Sequence, residues 1–160
     1  MNLKTIVYVI LINILMYYYC LSQTPEERKL VENYKKIAEN LEKSIQKIKP
    51  IESVFNTSEF TGYAMSWNEN RRPKRIFLSL ENSETSEYQI FDYDNGKLVF
   101  AFISFGNQNG WQFYFSNNKL AVIIDEKKDF VSKENQVLYK HFEKYLLDRA
   151  KKLYSENIGK

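Results

Sequence analysis

The 160-residue sequence has one cysteine, one histidine, three prolines and five glycines. Each scarcity excludes a class of protein. A single thiol cannot close a disulfide within the chain, so stability has to come from a hydrophobic core. His141 has no cysteine near it and cannot make a zinc site. It also lacks an identifiable nucleophile partner, so its neighbours Tyr139, Lys140 and Phe142 place it at the surface or boundary of a helix rather than in a catalytic pair. Gly62, Gly96, Gly106, Gly110 and Gly159 are scattered and build no phosphate-binding loop. Asp92 and Asp94 before Gly96 echo a calcium loop, but the glutamate six residues beyond the glycine is absent. Carboxylate pairs drawn from Glu81, Asp92, Asp125 and Glu126 are no more distinctive than those of any charged β protein. The sequence therefore assigns no catalytic residue, no cofactor and no metal.

Long apolar runs are equally scarce. The only one, Thr5 to Met16, is interrupted by Asn13 and falls short of the roughly 20 residues a spanning helix needs. Lys4 precedes it, Tyr17-Tyr18-Tyr19 closes it, and Cys20 and Ser22 put small residues three and one positions before Gln23. This tripartite pattern predicts that residues 1–22 are a secretory signal cut after Ser22, with export to the periplasm or beyond. Lipidation of Cys20 would instead tether the domain to a membrane, although a lipobox wants a small residue where Tyr19 stands. An uncleaved anchor is the other alternative, opposed by Asn13 and the short span.

Removing 22 of the 160 residues leaves 138, a single domain over 23–160 without a thiol. Lys4 leaves and no acid does, so 23 basic and 20 acidic residues become 22 and 20, and the net charge falls from +3 to +2. That near balance gives no argument for nucleic acid or an anionic membrane as partner.

The remaining pattern predicts an α+β fold: an antiparallel β-meander of about six strands flanked by an N-terminal and a C-terminal amphipathic helix. Thr24-Pro25-Glu26-Glu27 is a capping-box start, and Leu30, Tyr34, Ile37, Leu41, Ile45 and Ile48 form one stripe of a helix over 25–48, ended by Pro50. The stripe is too short for a coiled-coil seam. Between residues 59 and 126 the period becomes two, giving strands at 59–68, 74–81, 86–94, 97–105, 111–116 and 119–126. A second helix over 132–156, capped by Ser132, carries Leu138, Phe142, Tyr145, Leu146, Leu153 and Tyr154.

Asp94-Asn95-Gly96-Lys97 is a strong hairpin turn, and Ser116-Asn117-Asn118-Lys119 repeats it, with Phe91 to Leu98 lying over Phe113 to Leu120 at an offset of 22. The unit resembles the aromatic-x-aromatic, Asn-Gly-Lys-Leu hairpins of small exported bacterial proteins and the hairpins of MORN-type repeats, without the regular glycines of the latter. That resemblance implies a meander and no activity. Regular pairing from these turns puts Tyr93 opposite Leu98, Phe91 opposite Phe100, Phe113 opposite Val122 and Trp111 opposite Ile124. The other sheet face, with Tyr88, Ile90, Val99, Ala101, Ile103, Tyr114, Ala121 and Ile123, is too apolar to lie bare and is expected under a helix, the alternative being a binding surface.

Two exposed loops remain as candidate partner-binding surfaces. Arg71-Arg72-Pro73-Lys74-Arg75, between the first two strands and next to Trp67, is the one dense positive cluster. Solvating a turn and guarding an edge strand would also explain it. Asn107, Gln108 and Asn109 form a polar hairpin loop. Asn56-Thr57-Ser58 is a glycosylation acceptor only in a eukaryotic secretory pathway. The expected function is an exported, non-enzymatic domain that binds another protein, such as a periplasmic immunity, inhibitor or envelope-interaction module, with aromatic and Arg anchors. The alternative is a small glycan- or lipid-directed enzyme or ligand carrier with an aromatic cavity in the sheet.

Overall fold

A computed structural model describes residues 24–56, 61–81, 86–105 and 110–157. The predicted signal over 1–22, Cys20 and the loop residues Asn107, Gln108 and Asn109 lie outside the described residues. The chain runs through helix α1 (Pro25–Ile45), strands β1 (Ile51–Asn56), β2 (Thr61–Glu69), β3 (Arg72–Glu81), β4 (Ser86–Asp94), β5 (Lys97–Phe105), β6 (Trp111–Ser116) and β7 (Lys119–Ile124), and helix α2 (Gln136–Asn157). The strands form one antiparallel sheet in sequence order, so the fold is the α+β meander with a helix at each end.

α1 starts where its sequence says. The Thr24 side chain accepts from the Glu27 amide at 3.2 Å, and the Glu27 carboxylate accepts from the Thr24 amide at 2.9 Å. Burial pushes the Glu27 carboxyl up, but hydrogen bonds from Thr24 and the charge and hydrogen bond of Lys133 outweigh it and hold the group below the usual range. The helix stops at Ile45 rather than 48, because the chain tightens there through i to i+3 bonds from Lys47 to Ser44 and Ile48 to Ile45. α2 begins at Gln136, later than predicted. Ser132 caps a preceding turn through the Glu134 amide, while Asn135 accepts from the Leu138 amide at the true helix start.

Three hairpins share one construction. Their two-residue turns, Asn70-Arg71, Asn95-Gly96 and Asn117-Asn118, all have positive φ, between 49° and 77°, the type I′ geometry that matches strand twist. In each, the third residue after the turn is left unpaired: Asn68 pairs with Pro73 and Trp67 with Arg75, skipping Lys74. Likewise Tyr93 pairs with Leu98 and Asp92 with Phe100, skipping Val99, and Phe115 pairs with Leu120 and Tyr114 with Val122, skipping Ala121. These bulges correct the expected register. Phe91 faces Ala101 rather than Phe100, Phe113 faces Ile123 rather than Val122, and Gln112 rather than Trp111 faces Ile124. One extra residue moves every later side chain to the other face.

The shift divides the apolar residues between two cores. Phe91, Phe113, Ala101, Ile103 and Ile123 pack under α2 against Leu146 and Ala150. Phe100, Tyr114, Val122 and Ile124 pack under α1 against Leu30, Val31 and Tyr34. Phe113, Phe91, Ile123 and Leu146 are wholly buried. Each helix therefore packs on one sheet face, and the expected second face is divided, with Ala101, Ile103 and Ile123 under α2 and Tyr114 under α1.

Candidate functional site

α1 crosses the strands at the row just beyond the bulges, which runs through Arg75, Asp92, Phe100, Tyr114 and Val122. Tyr34 stacks on Phe100 with ring centroids 4.3 Å apart and meets Tyr114 edge-on at 5.3 Å. Its hydroxyl donates to the Asp92 carboxylate at 2.6 Å. Asp92 is fully buried and takes two further bonds from Arg75, from Nε at 2.6 Å and from a terminal amino group at 2.9 Å. Arg75 reaches on to Glu42 of α1, so the bidentate pair joins β3, β4 and the helix. Burial acts to lower the Arg75 pKa, but the Asp92 and Glu42 carboxylates more than reverse that and hold the guanidinium charged. Tyr34 ionises far above the usual phenol range, from burial first and the Asp92 charge second. Asp92, a carboxylate the sequence offers for chemistry, is thus consumed by structure. Asp125, another, accepts the Lys127 and Asp129 amides at 2.9 Å and fixes the turn after β7.

The predicted basic loop is shorter than the sequence implied. Its turn is only Asn70-Arg71, and Arg72 to Arg75 already belong to β3. Arg71 and Arg72 are exposed, Pro73 is buried, and Lys74 pairs with Glu69 at 3.1 Å. Trp67 is half-buried in the same row as Arg75. Trp67, Arg71, Arg72, Lys74 and Arg75 are therefore close in the chain but differently used, with Arg75 turned inward. Arg71 occupies, at φ 62°, the turn position that Gly96 fills in the next hairpin.

The two sheet edges differ. Along β7 the Leu120 amide donates to the Glu143 carboxylate at 2.7 Å, and the Ile123 amide donates to the Tyr139 hydroxyl at 3.3 Å. The Val131 amide donates to the Ile123 carbonyl at 2.9 Å, and Tyr139 donates onward to the Val131 carbonyl at 3.0 Å. The segment after β7 and two side chains of α2 close that edge. β1, at the other end, pairs with β2 alone, and among the described residues nothing bonds its outer side. Residues 51 to 54 are all exposed, Val54 by 73%. Strand β1 was missed in the sequence, though Ile51-Glu52-Ser53-Val54 after Pro50 does alternate.

Beside that edge the α1-side face lies clear of the helix. Tyr63 and Met65 of β2, Phe77 of β3, and Tyr88 and Ile90 of β4 are all only half-buried, and Phe77 stacks with Tyr88 at 6.2 Å. Register puts Met65, Phe77 and Ile90 in one row and Tyr63 and Tyr88 in the next. Glu52 of β1 hydrogen-bonds the Tyr63 hydroxyl, and burial together with that carboxylate moves the phenol up. Among the described residues no three His, Cys, Asp or Glu side chains gather as a metal site, and no helix is long and apolar enough to cross a membrane. His141 packs edge-on to Phe142 at 5.8 Å and is exposed. No protein family, curated protein or solved structure matches the chain.

Proposed function

We propose that this is an exported, non-enzymatic binding domain whose partner is another protein, engaged by strands β1 to β3 and the adjoining end of β4. The observation that carries the reading is the open β1 edge lying beside the half-buried row of Met65, Phe77 and Ile90 and the pair Tyr63 and Tyr88. An unpaired edge offers main-chain donors and acceptors to an extended segment, and an adjacent aromatic face supplies side-chain contact. Such an edge is normally guarded, and this chain guards the opposite one. Export is supported by the tripartite pattern of residues 1–22. An immunity, inhibitor or envelope-interaction role fits a domain of this size and near-neutral charge.

The reading is tested by isolating the protein with its partners from the producing cell in three forms. These are wild type, Val54→Lys with Tyr88→Ser, and Arg71→Glu with Arg72→Glu. The first pair of substitutions is expected to lose partner recovery about tenfold or more, as removal of a hot spot does. The second pair should retain it. Loss only with the arginine pair would move the contact to the turn, and no partner in any form would remove the reading.

A further inference from the structure

A cleft of about 480 Å³ lies on the α2 side, between the C-terminal half of that helix and strands β1 to β4. That is within the range of small-molecule sites, roughly 300–1,000 Å³. Its floor is aliphatic: Ala64 of β2 and Ile76, Leu78 and Leu80 of β3. Ser66 and Gly62 continue the same β2 face, so small side chains there leave the room that the branched residues of β3 line.

One polar assembly interrupts the apolar lining. Gln89 is fully buried, and its amide oxygen accepts from Arg149 Nε at 2.6 Å while its amide nitrogen donates to Glu87. The bond uses one of the five N–H donors of the guanidinium. Among the described residues Arg149 makes no ion pair, and its partner Gln89 is neutral. A half-buried guanidinium on an apolar wall, linked to the Glu87 carboxylate only through the neutral Gln89 amide, keeps terminal N–H donors for an anion able to accept two parallel bonds. Lys152, one turn further along α2, lines the same cleft, and its bond to Glu156 is a long 4.0 Å between exposed groups. Glu87 and Glu156 also line it, the first engaged by Gln89 and the second facing Lys152.

We propose that this cleft binds a single-chain fatty-acid carboxylate, with Arg149 holding the head and Ile76, Leu78 and Leu80 bedding the chain. A peptide is the poorer occupant. The floor strand β3 is paired on both sides, so its backbone has nothing to offer a second polypeptide. An apolar chain with one charged end asks for no more than the cleft presents. Ser53 of β1 reaches the rim of the cleft, but the site opens on the α2-side face, opposite the row of Met65, Phe77 and Ile90, and does not depend on protein binding there.

Calorimetric titration of the purified protein with dodecanoate tests this, with dodecanol, dodecyltrimethylammonium and an apolar C-terminal peptide as comparison ligands. Saturable one-to-one binding of dodecanoate is expected, with the alcohol and the cation at least about tenfold weaker, the scale of a bidentate charged contact. Arg149→Met should remove that preference for the carboxylate, and Ala64→Phe, which fills the cleft and leaves the head-group anchor, should abolish binding of every single-chain ligand. Circular dichroism of both variants verifies that they fold. Equal affinity for all three head groups, wild-type affinity in Arg149→Met, tighter binding of the peptide, or no saturable binding would overturn the proposal.

Discussion

Strands β4 to β7 and strands β1 to β3 are halves of one sheet, yet they are finished differently. In the β4–β7 half both helices pack on the sheet, leaving the Ser86 end of β4 uncovered, Phe91, Phe113 and Ile123 are wholly buried, and the outer edge is sealed by Glu143, Tyr139 and the Val131 backbone. In the β1–β3 half the edge is open, the α1-side face keeps half-buried aromatic residues, and the α2-side face carries a cleft. The bidentate Arg75–Asp92 pair stands at the seam between them. The contrast teaches a division of labour: the first half holds the fold, and the second is left available for contact.

Breaking the seam has the largest expected effect. Arg75→Ala strands the fully buried Asp92 carboxylate and is expected to cost about 3–5 kcal/mol in denaturant unfolding. Arg75→Met with Asp92→Leu removes both charges and should recover most of that loss. A double mutant as unstable as the single one would show that the pair is not the seam. Next comes unsealing the closed edge. Glu143→Ala leaves the Leu120 amide without its acceptor and is expected to cost about 1–3 kcal/mol. It also frees one main-chain donor at the Lys119 end of β7 while Tyr139 and Val131 still close the rest, so light scattering should report at most weak new self-association.

A pH scan tests the burial of the covered half through its tyrosines. Burial pushes Tyr114 up to about 12, and it pushes Tyr34 and Tyr93 higher still. All three lie in the two cores under the helices. A folded pKa above the unfolded value near 10 means that stability is complete below about pH 10. It is then lost as pH rises toward about 12 and beyond. Phenolate absorbance should therefore appear together with loss of folded structure in that window, and phenolate formation in a protein that stays folded would contradict the burial. The smallest effect belongs to the open edge: Val54→Lys, at a side chain 73% exposed, should change stability by no more than about 0.5 kcal/mol.

Much of this construction is legible in the residues. Thr24-Pro25-Glu26-Glu27 announces α1, Asn95-Gly96 announces its hairpin, and the period of two announces the meander. The bulges at Lys74, Val99 and Ala121 are not legible, because an unpaired residue in a hydrophobic strand looks like any other until its partner is known. The turn chemistry gave one register near each turn and the bulges imposed another beyond it, which is why Tyr93–Leu98 was right and Phe91–Phe100 was not. Arg75 looked like part of a solvated cluster because its neighbours in sequence are charged, whereas its partners Asp92 and Glu42 come from other elements. β1 was hidden for another reason: a short edge strand whose residues 51 to 54 are exposed carries little hydrophobic pattern. Edge strands are the elements that burial marks least.

The most direct test of the division is a photo-reactive residue placed at Val54 on the β1 edge and, separately, at Lys119 on the β7 edge, in the producing cell. The account predicts covalent adducts with another protein from position 54 and none from position 119. Adducts from 119 alone, or from neither position, would contradict it.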